Sequence, residues 1–211
     1  RMIAEKGKDK VVNATIGALL DDNGELMVLS SVTEVFHNLE PKEFAEYAPI
    51  SGTPQFREDV KKDAFGTFVP KRFTEAVVTP GGTGALRNAV ANYSVAGDQI
   101  LVADWYWAPY STIAQEIGRT VATFRFFNEN RGFNACDFEE KVSQLLQEQE
   151  RLVIILNTPA HNPTGYSLTD DDWQAVCEVL KKQPQDKKIA LVVDTAYIEF
   201  AGDGEKYRSF L

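Results

Sequence analysis

Asn162 lies in Pro159-Ala160-His161-Asn162-Pro163-Thr164-Gly165, a stretch that joins an apolar run to a helix start. An amide side chain at such a junction can hydrogen-bond a bound molecule. The preceding run, Leu152-Val153-Ile154-Ile155-Leu156, has no polar alternation, as expected for a central parallel strand covered on both faces. Its far end therefore falls where open α/β sheets take ligands. Asn-Pro-Thr-Gly is also ordinary turn chemistry, an Asx-Pro followed by glycine, so other residues must decide between a turn and a site.

Three further stretches sit at predicted strand ends. Pro80-Gly81-Gly82-Thr83-Gly84-Ala85-Leu86 follows one strand and opens a helix. Its glycines permit close backbone approach, and the free N–H groups with the Thr83 hydroxyl suit a phosphate. The spacing is neither the dinucleotide G-x-G-x-x-G pattern nor a P-loop with its lysine. Asp104-Trp105-Tyr106-Trp107-Ala108-Pro109-Tyr110 is an aromatic cluster that can stack on a flat heteroaromatic ligand or cap the core. Asp194 directly follows the buried run Ile189-Ala190-Leu191-Val192-Val193 and precedes Thr195-Ala196-Tyr197. A carboxylate at a buried strand's end needs a partner, and a cationic ring nitrogen, a nucleotide or a metal ion can serve.

The elements that must position these residues alternate. Strands are predicted over 75–79, 99–103, 120–126, 152–156 and 189–193, and helices over 84–93, 109–117, 138–149 and 173–182. Thr169 is the expected N-cap of the last helix, with Asp170, Asp171 and Asp172 against its positive dipole end. Such alternation predicts a parallel-rich sheet with right-handed crossovers. Residues 1–70 read differently, as a loop-rich arm through Asp21-Asp22-Asn23-Gly24 followed by helices around 32–36 and 54–65. The expected division is thus an N-terminal arm with helices over 1–70 and a larger domain over 71–211.

A hydrophobic share of 44% in 211 residues is enough for a sizeable core. The net charge of −9 argues against nucleic acid or an anionic membrane as partner. Two cysteines, Cys136 and Cys177, make no disulfide framework, which points to a reducing, cytoplasmic setting. No apolar run approaches the ~18 residues that span a bilayer.

Ala160-His161-Asn162-Pro163-Thr164-Gly165, Gly82-Thr83-Gly84-Ala85-Leu86 and Asp194-Thr195-Ala196-Tyr197, in this order, resemble the fold-type I pyridoxal-phosphate aminotransferases. Tyr47-Ala48-Pro49-Ile50 followed by Gly52, with Ile16-Gly17-Ala18 before Asp22-Asn23-Gly24, is similar to the aspartate and aromatic aminotransferase branch. The resemblance implies a three-layer αβα large domain on a parallel-rich mixed sheet, incomplete at its C-terminal end. It implies transfer of an amino group from an amino acid to a 2-oxo acid by a homodimer, with pyridoxal 5'-phosphate as cofactor and no metal.

By the same resemblance, the backbone of Gly82 and Thr83 holds the cofactor phosphate and Trp107 stacks on the pyridine, with Tyr106 as the alternative ring. Asp194 holds the proton on the ring nitrogen. Asn162 and Tyr197 bond the phenolic oxygen, and Tyr47 reaches the phosphate of the other subunit. Gly17, in an arm over the substrate, borders it with Trp107 and Asn162. His161 is expected to be structural.

The family's Schiff-base lysine lies a few dozen residues beyond the Asp, whereas residues 195–211 contain only Lys206, in a polar loop. The expectation is a truncated chain carrying the noncovalent half of a cofactor site, inactive alone. A noncatalytic binding or regulatory protein of the same fold is the alternative, and a nucleotide- or S-adenosylmethionine-binding domain is a third, resting on Gly81 to Gly84 only.

Overall fold

The computed structural model describes residues 5–7, 10–11 and 17–210, so Ile16 of the sequence argument lies outside the described residues. Two compact units form, Arg1–Ala48 and Pro49–Leu211.

The first unit is built from local hydrogen bonds. The Asp21 carboxylate accepts from the amides of Asn23 and Glu25, each at 2.9 Å, and closes the turn that the Asp-Asn-Gly sequence predicts. Two helices follow, α1 (Ser30–Asn38) and α2 (Pro41–Ala45), the second started by a capping box between Glu40 and Glu43. None of its described residues is buried, and Leu29, Val35, Phe36 and Phe44 stand in solvent.

The second unit opens with α3 (Pro54–Phe65), where Thr53 caps the first turn by accepting from Phe56 N at 3.2 Å. Then come α4 (Gly81–Tyr93), β1 (Gln99–Ala103), α5 (Pro109–Glu116), β2 (Thr120–Phe124), α6 (Ala135–Glu148), β3 (Arg151–Asn157), α7 (Asp170–Lys182) and β4 (Lys188–Asp194). A 3₁₀ turn, Ile198–Phe200, and α8 (Gly204–Arg208) complete the order. All pairings in the four-stranded sheet are parallel, in the order β2-β1-β3-β4.

Alternate residues of the strands point to opposite faces. Leu101, Leu152, Ile154 and Leu156 pack with Phe138, Val142 and Val176 from α6 and α7. On the other face Ile100, Val102, Val153 and Ile155 pack with Leu86, Val90 and Ile113 from α4 and α5. The layers are therefore αβα, and the near-continuous apolar strands are explained by burial on both sides. Helix α7 starts as expected: Thr169 accepts from Asp172 N, Asp172 reaches back to the Thr169 amide, and Lys181 and Lys182 occupy the last turn.

One predicted strand is absent. Residues 75–79 carry no ladder; Val78 donates one backbone bond to Ser51 O at 3.0 Å, and Val77 remains 63% exposed. Apolar periodicity satisfies only a strand's faces; its edges need partner strands. Residues 75–79 have none among the described residues. Helix α6 begins three residues before the predicted Phe138, because the Asn134 side chain accepts from Asp137 N at 3.2 Å and caps an earlier turn.

Candidate active site

The sheet order creates the space. From β1 the chain crosses to β2 on one side, and from β3 it crosses to β4 on the other, so the segments leaving the adjacent strand ends diverge. Such a switch point opens a crevice at the carboxyl edge of a parallel sheet. A cleft of about 590 Å³ lies there, and its lining includes Gly82, Thr83, Trp107, Asn162, Asp194 and Tyr197. A volume of a few hundred cubic ångströms suits a ligand of cofactor size.

At one wall is the start of α4. The first amides of a helix have no intrahelical acceptor, and here they combine with the positive dipole end and the Thr83 side chain to favour an anion. A Cβ on Gly82 meets nothing within 4 Å, so the backbone is bare on that side. Gly84 is the tight position, since a Cβ there would stand 2.7 Å from Pro80 Cδ. Gly84→Ala is expected to destabilise the protein by about 1–3 kcal/mol through this overlap. Thermal unfolding beside Gly82→Ala, which adds its methyl into open space, checks the contrast; equal melting temperatures would remove the packing argument.

Asp194 is the last residue of β4, half-buried, and its register partner is Asn157 of β3. The Asn157 side chain donates to Asp194 O at 2.8 Å and accepts from Asn162 N at 2.7 Å. It thereby links the ends of β3 and β4. The Asp194 carboxylate accepts from Ala196 N at 3.1 Å through Oδ1 and from Tyr110 OH at 2.5 Å through Oδ2. Burial and the neighbouring Asp194 carboxylate push the Tyr110 phenol far above its ordinary ionisation range, so the hydroxyl keeps its proton.

Asn162 Nδ2 donates to Tyr197 OH at 2.9 Å. The Tyr197 oxygen accepts there and retains its own hydrogen for another acceptor. Trp107 stands edge-on to Tyr110, with ring centroids 5.6 Å apart at 83°. Tyr106 lines a smaller hollow on the other side of Tyr110 and stacks on that ring at 6.4 Å. His161 faces the same hollow: it stacks on Phe126 at 4.7 Å, and its Nδ1 bonds Thr164 Oγ1 at 2.8 Å. Burial lowers its pKa, favouring the neutral ring. Tyr47 and Gly17 belong to the first unit and are exposed.

Two residues that shape the site have no role in the sequence argument. Asn157 is a polar side chain closing a buried apolar run, the same signal that singled out Asp194. Tyr110 ends the quoted aromatic cluster, yet its partner Asp194 lies 84 residues downstream, beyond the reach of local pattern.

Pyridoxal phosphate fits these residues. Bare helix-start amides at Gly82 and Thr83 suit its phosphate, and the free Tyr197 hydrogen suits its phenolic oxygen. Asp194, whose contacts among the described residues are neutral donors, suits its cationic ring nitrogen. No lysine is among the described residues lining the cleft, and Lys206 sits in α8 over the Tyr207 ring, 5.5 Å from its centroid. Borohydride reduction of the 211-residue chain with pyridoxal phosphate is therefore expected to leave Lys206 without a stoichiometric adduct. Peptide mass mapping checks this, and full labelling of Lys206 would overturn it.

A family model described as aminotransferase class I and II matches residues 9–211. The aromatic-amino-acid aminotransferase of Paracoccus denitrificans is 31% identical over 92% of this chain and 48% of its own length. The mitochondrial aspartate aminotransferase of Arabidopsis thaliana is 29% identical over 99% of this chain and 49% of its own. Among solved structures, an aminotransferase from Anaerococcus prevotii superposes with a TM-score of 0.92 at 41% identity, over 99% of this chain and 51% of that one. The chain spans about half the length of the curated relatives it matches.

Proposed function

The chain belongs to the class I and II aminotransferase family, and from that premise we propose that it carries the noncovalent cofactor site of a pyridoxal-phosphate aminotransferase of the aspartate and aromatic branch. The reaction is transfer of an amino group from an amino acid to a 2-oxo acid. One observation carries the reading: Gly82, Thr83, Trp107, Asn162, Asp194 and Tyr197, spread over more than half the chain, line one cleft.

Pyridoxal phosphate, when bound, supplies an electron sink for the pair released at the substrate α-carbon. The chain's own groups hold and tune it. The Gly82 and Thr83 amides would bind the phosphate dianion, and Trp107 would stack on the ring and limit its tilt. Asp194 would favour a protonated ring nitrogen by placing a negative charge against it. Asn162 orients the Tyr197 hydroxyl, which would donate to the phenolic oxygen.

The working form is a homodimer in which Tyr47 reaches the phosphate of the other subunit and Gly17 borders the substrate. Exposed apolar residues of the first unit, such as Phe36 and Phe44, support an assembly that covers them. A cytoplasmic setting is part of the same reading, supported by two exposed, unbridged thiols, Cys136 and Cys177.

The test is amino transfer by the full-length protein from aspartate or phenylalanine to 2-oxoglutarate, with and without added pyridoxal phosphate. Cofactor-dependent transfer is the expected result. Cofactor binding without transfer from any amino acid would instead place the protein among binding or regulatory relatives.

A further inference from the structure

On the cofactor reading above, we infer that Tyr110 is a positioning residue: its hydroxyl fixes the Asp194 carboxylate at the angle from which it meets the cofactor's ring nitrogen, while its ring braces Trp107. The geometry is specific. Tyr110 is 2% exposed in the first turn of α5, and Asp194 ends β4, so the 2.5 Å bond between them ties helix to strand end. Oδ2 takes the phenolic proton and Oδ1 takes the Ala196 amide. A carboxylate offers about four lone-pair directions, so two remain, and both donors are neutral groups.

The ring is itself immobilised. Tyr106 stacks on it at 6.4 Å with planes 7° apart, and Trp107 meets it edge-on at 5.6 Å. Rotation of Tyr110 would disturb both the stacking wall and the carboxylate, so one side chain registers two cofactor contacts against each other. Other titratable groups nearby are Tyr197, His161 and Asp104. Burial holds His161 toward its neutral form, and Asp104 is committed to the backbone amides of Trp105 and Phe126 through one oxygen, Oδ1. Among the described residues no cation forms an ion pair with Asp194. A neutral donor such as a phenol therefore orients the carboxylate without cancelling the charge that the ring nitrogen needs.

Tyr110→Phe keeps the ring and removes only the hydroxyl. In the full-length protein, loss of this orienting bond is expected to raise the Kd for pyridoxal phosphate about tenfold, the weight of one charge-assisted hydrogen bond. Ring-labelled ¹⁵N-pyridoxal phosphate reports the second effect. The pH midpoint for deprotonation of the bound ring nitrogen should fall by about one unit as the carboxylate swings out of line. An unchanged midpoint, or a rise, overturns the positioning role, because a merely structural hydroxyl would not move it and a purely electrostatic one would raise it. Tyr106→Phe, whose hydroxyl is not bonded to Asp194, should shift neither value.

A measurement on the unmodified protein covers the case in which Tyr110→Phe does not fold. The strongly hydrogen-bonded phenolic proton should appear downfield in the proton NMR spectrum both before and after cofactor binding, and its loss on binding would overturn the inference. Failure of the unmodified protein to bind pyridoxal phosphate sinks the cofactor reading itself. Normal binding with an indifferent Tyr110→Phe sinks only this inference.

Discussion

Asp194→Asn in the full-length protein is expected to lower kcat/KM for amino transfer by on the order of a hundred- to a thousandfold, the range seen when one preorganised charge contact in an active site is removed. Asparagine is nearly isosteric. Its amide oxygen can still accept from the Ala196 amide, and its NH₂ can face the Tyr110 oxygen, so both bonds that anchor the native carboxylate have replacements. The side chain loses its charge and with it the reason for a proton to stay on the ring nitrogen. Melting temperature should change little while turnover collapses. Steady-state kinetics paired with thermal unfolding reads the two apart, and retention of a tenth or more of the normal kcat/KM would remove Asp194 from its assigned role.

The largest loss of stability is expected at Phe138. It is fully buried in α6, with its ring 5.2 Å from Phe124 and 5.7 Å from Phe133. Phe138→Ala should cost about 3–5 kcal/mol, a transfer term plus the cavity left among rings that cannot close over it. Phe200, 83% exposed, provides the contrast: Phe200→Ala should stay within about 0.5 kcal/mol. Urea unfolding of the two variants beside the parent protein decides whether α6 is the keystone of that face or one helix among several.

Legibility in the sequence followed the range of the interaction. The start of α7 was readable because Thr169 and Asp172 cap each other within four residues, and β3 was readable because burial on both faces leaves its apolar run unbroken. Residues 75–79 show the limit: Val77 and Val78 have strand-like character, but whether a segment joins a ladder depends on chain elsewhere. Asn157 fell outside the predicted strand because a polar residue ends the apolar run, although its ladder partner Asp194 keeps it in β3. In the cleft, the residue types of Gly82, Asn162 and Asp194 could be matched to chemistry, while the Tyr110–Asp194 contact required the folded sheet to bring α5 against the end of β4.

The divergence between β1 and β3 also separates what can vary from what cannot. Asn157 and Asp194 are fixed by ladder register, so a one-residue insertion within β3 or β4 would shift this pair out of step at the edge of the cleft. The segments beyond the strand ends run to opposite sides and can lengthen without straining any ladder bond. Trp107, Asn162 and Tyr197 line the cleft from the first few residues of these segments, so variation that leaves the cleft intact is confined to the parts farther from the strand ends.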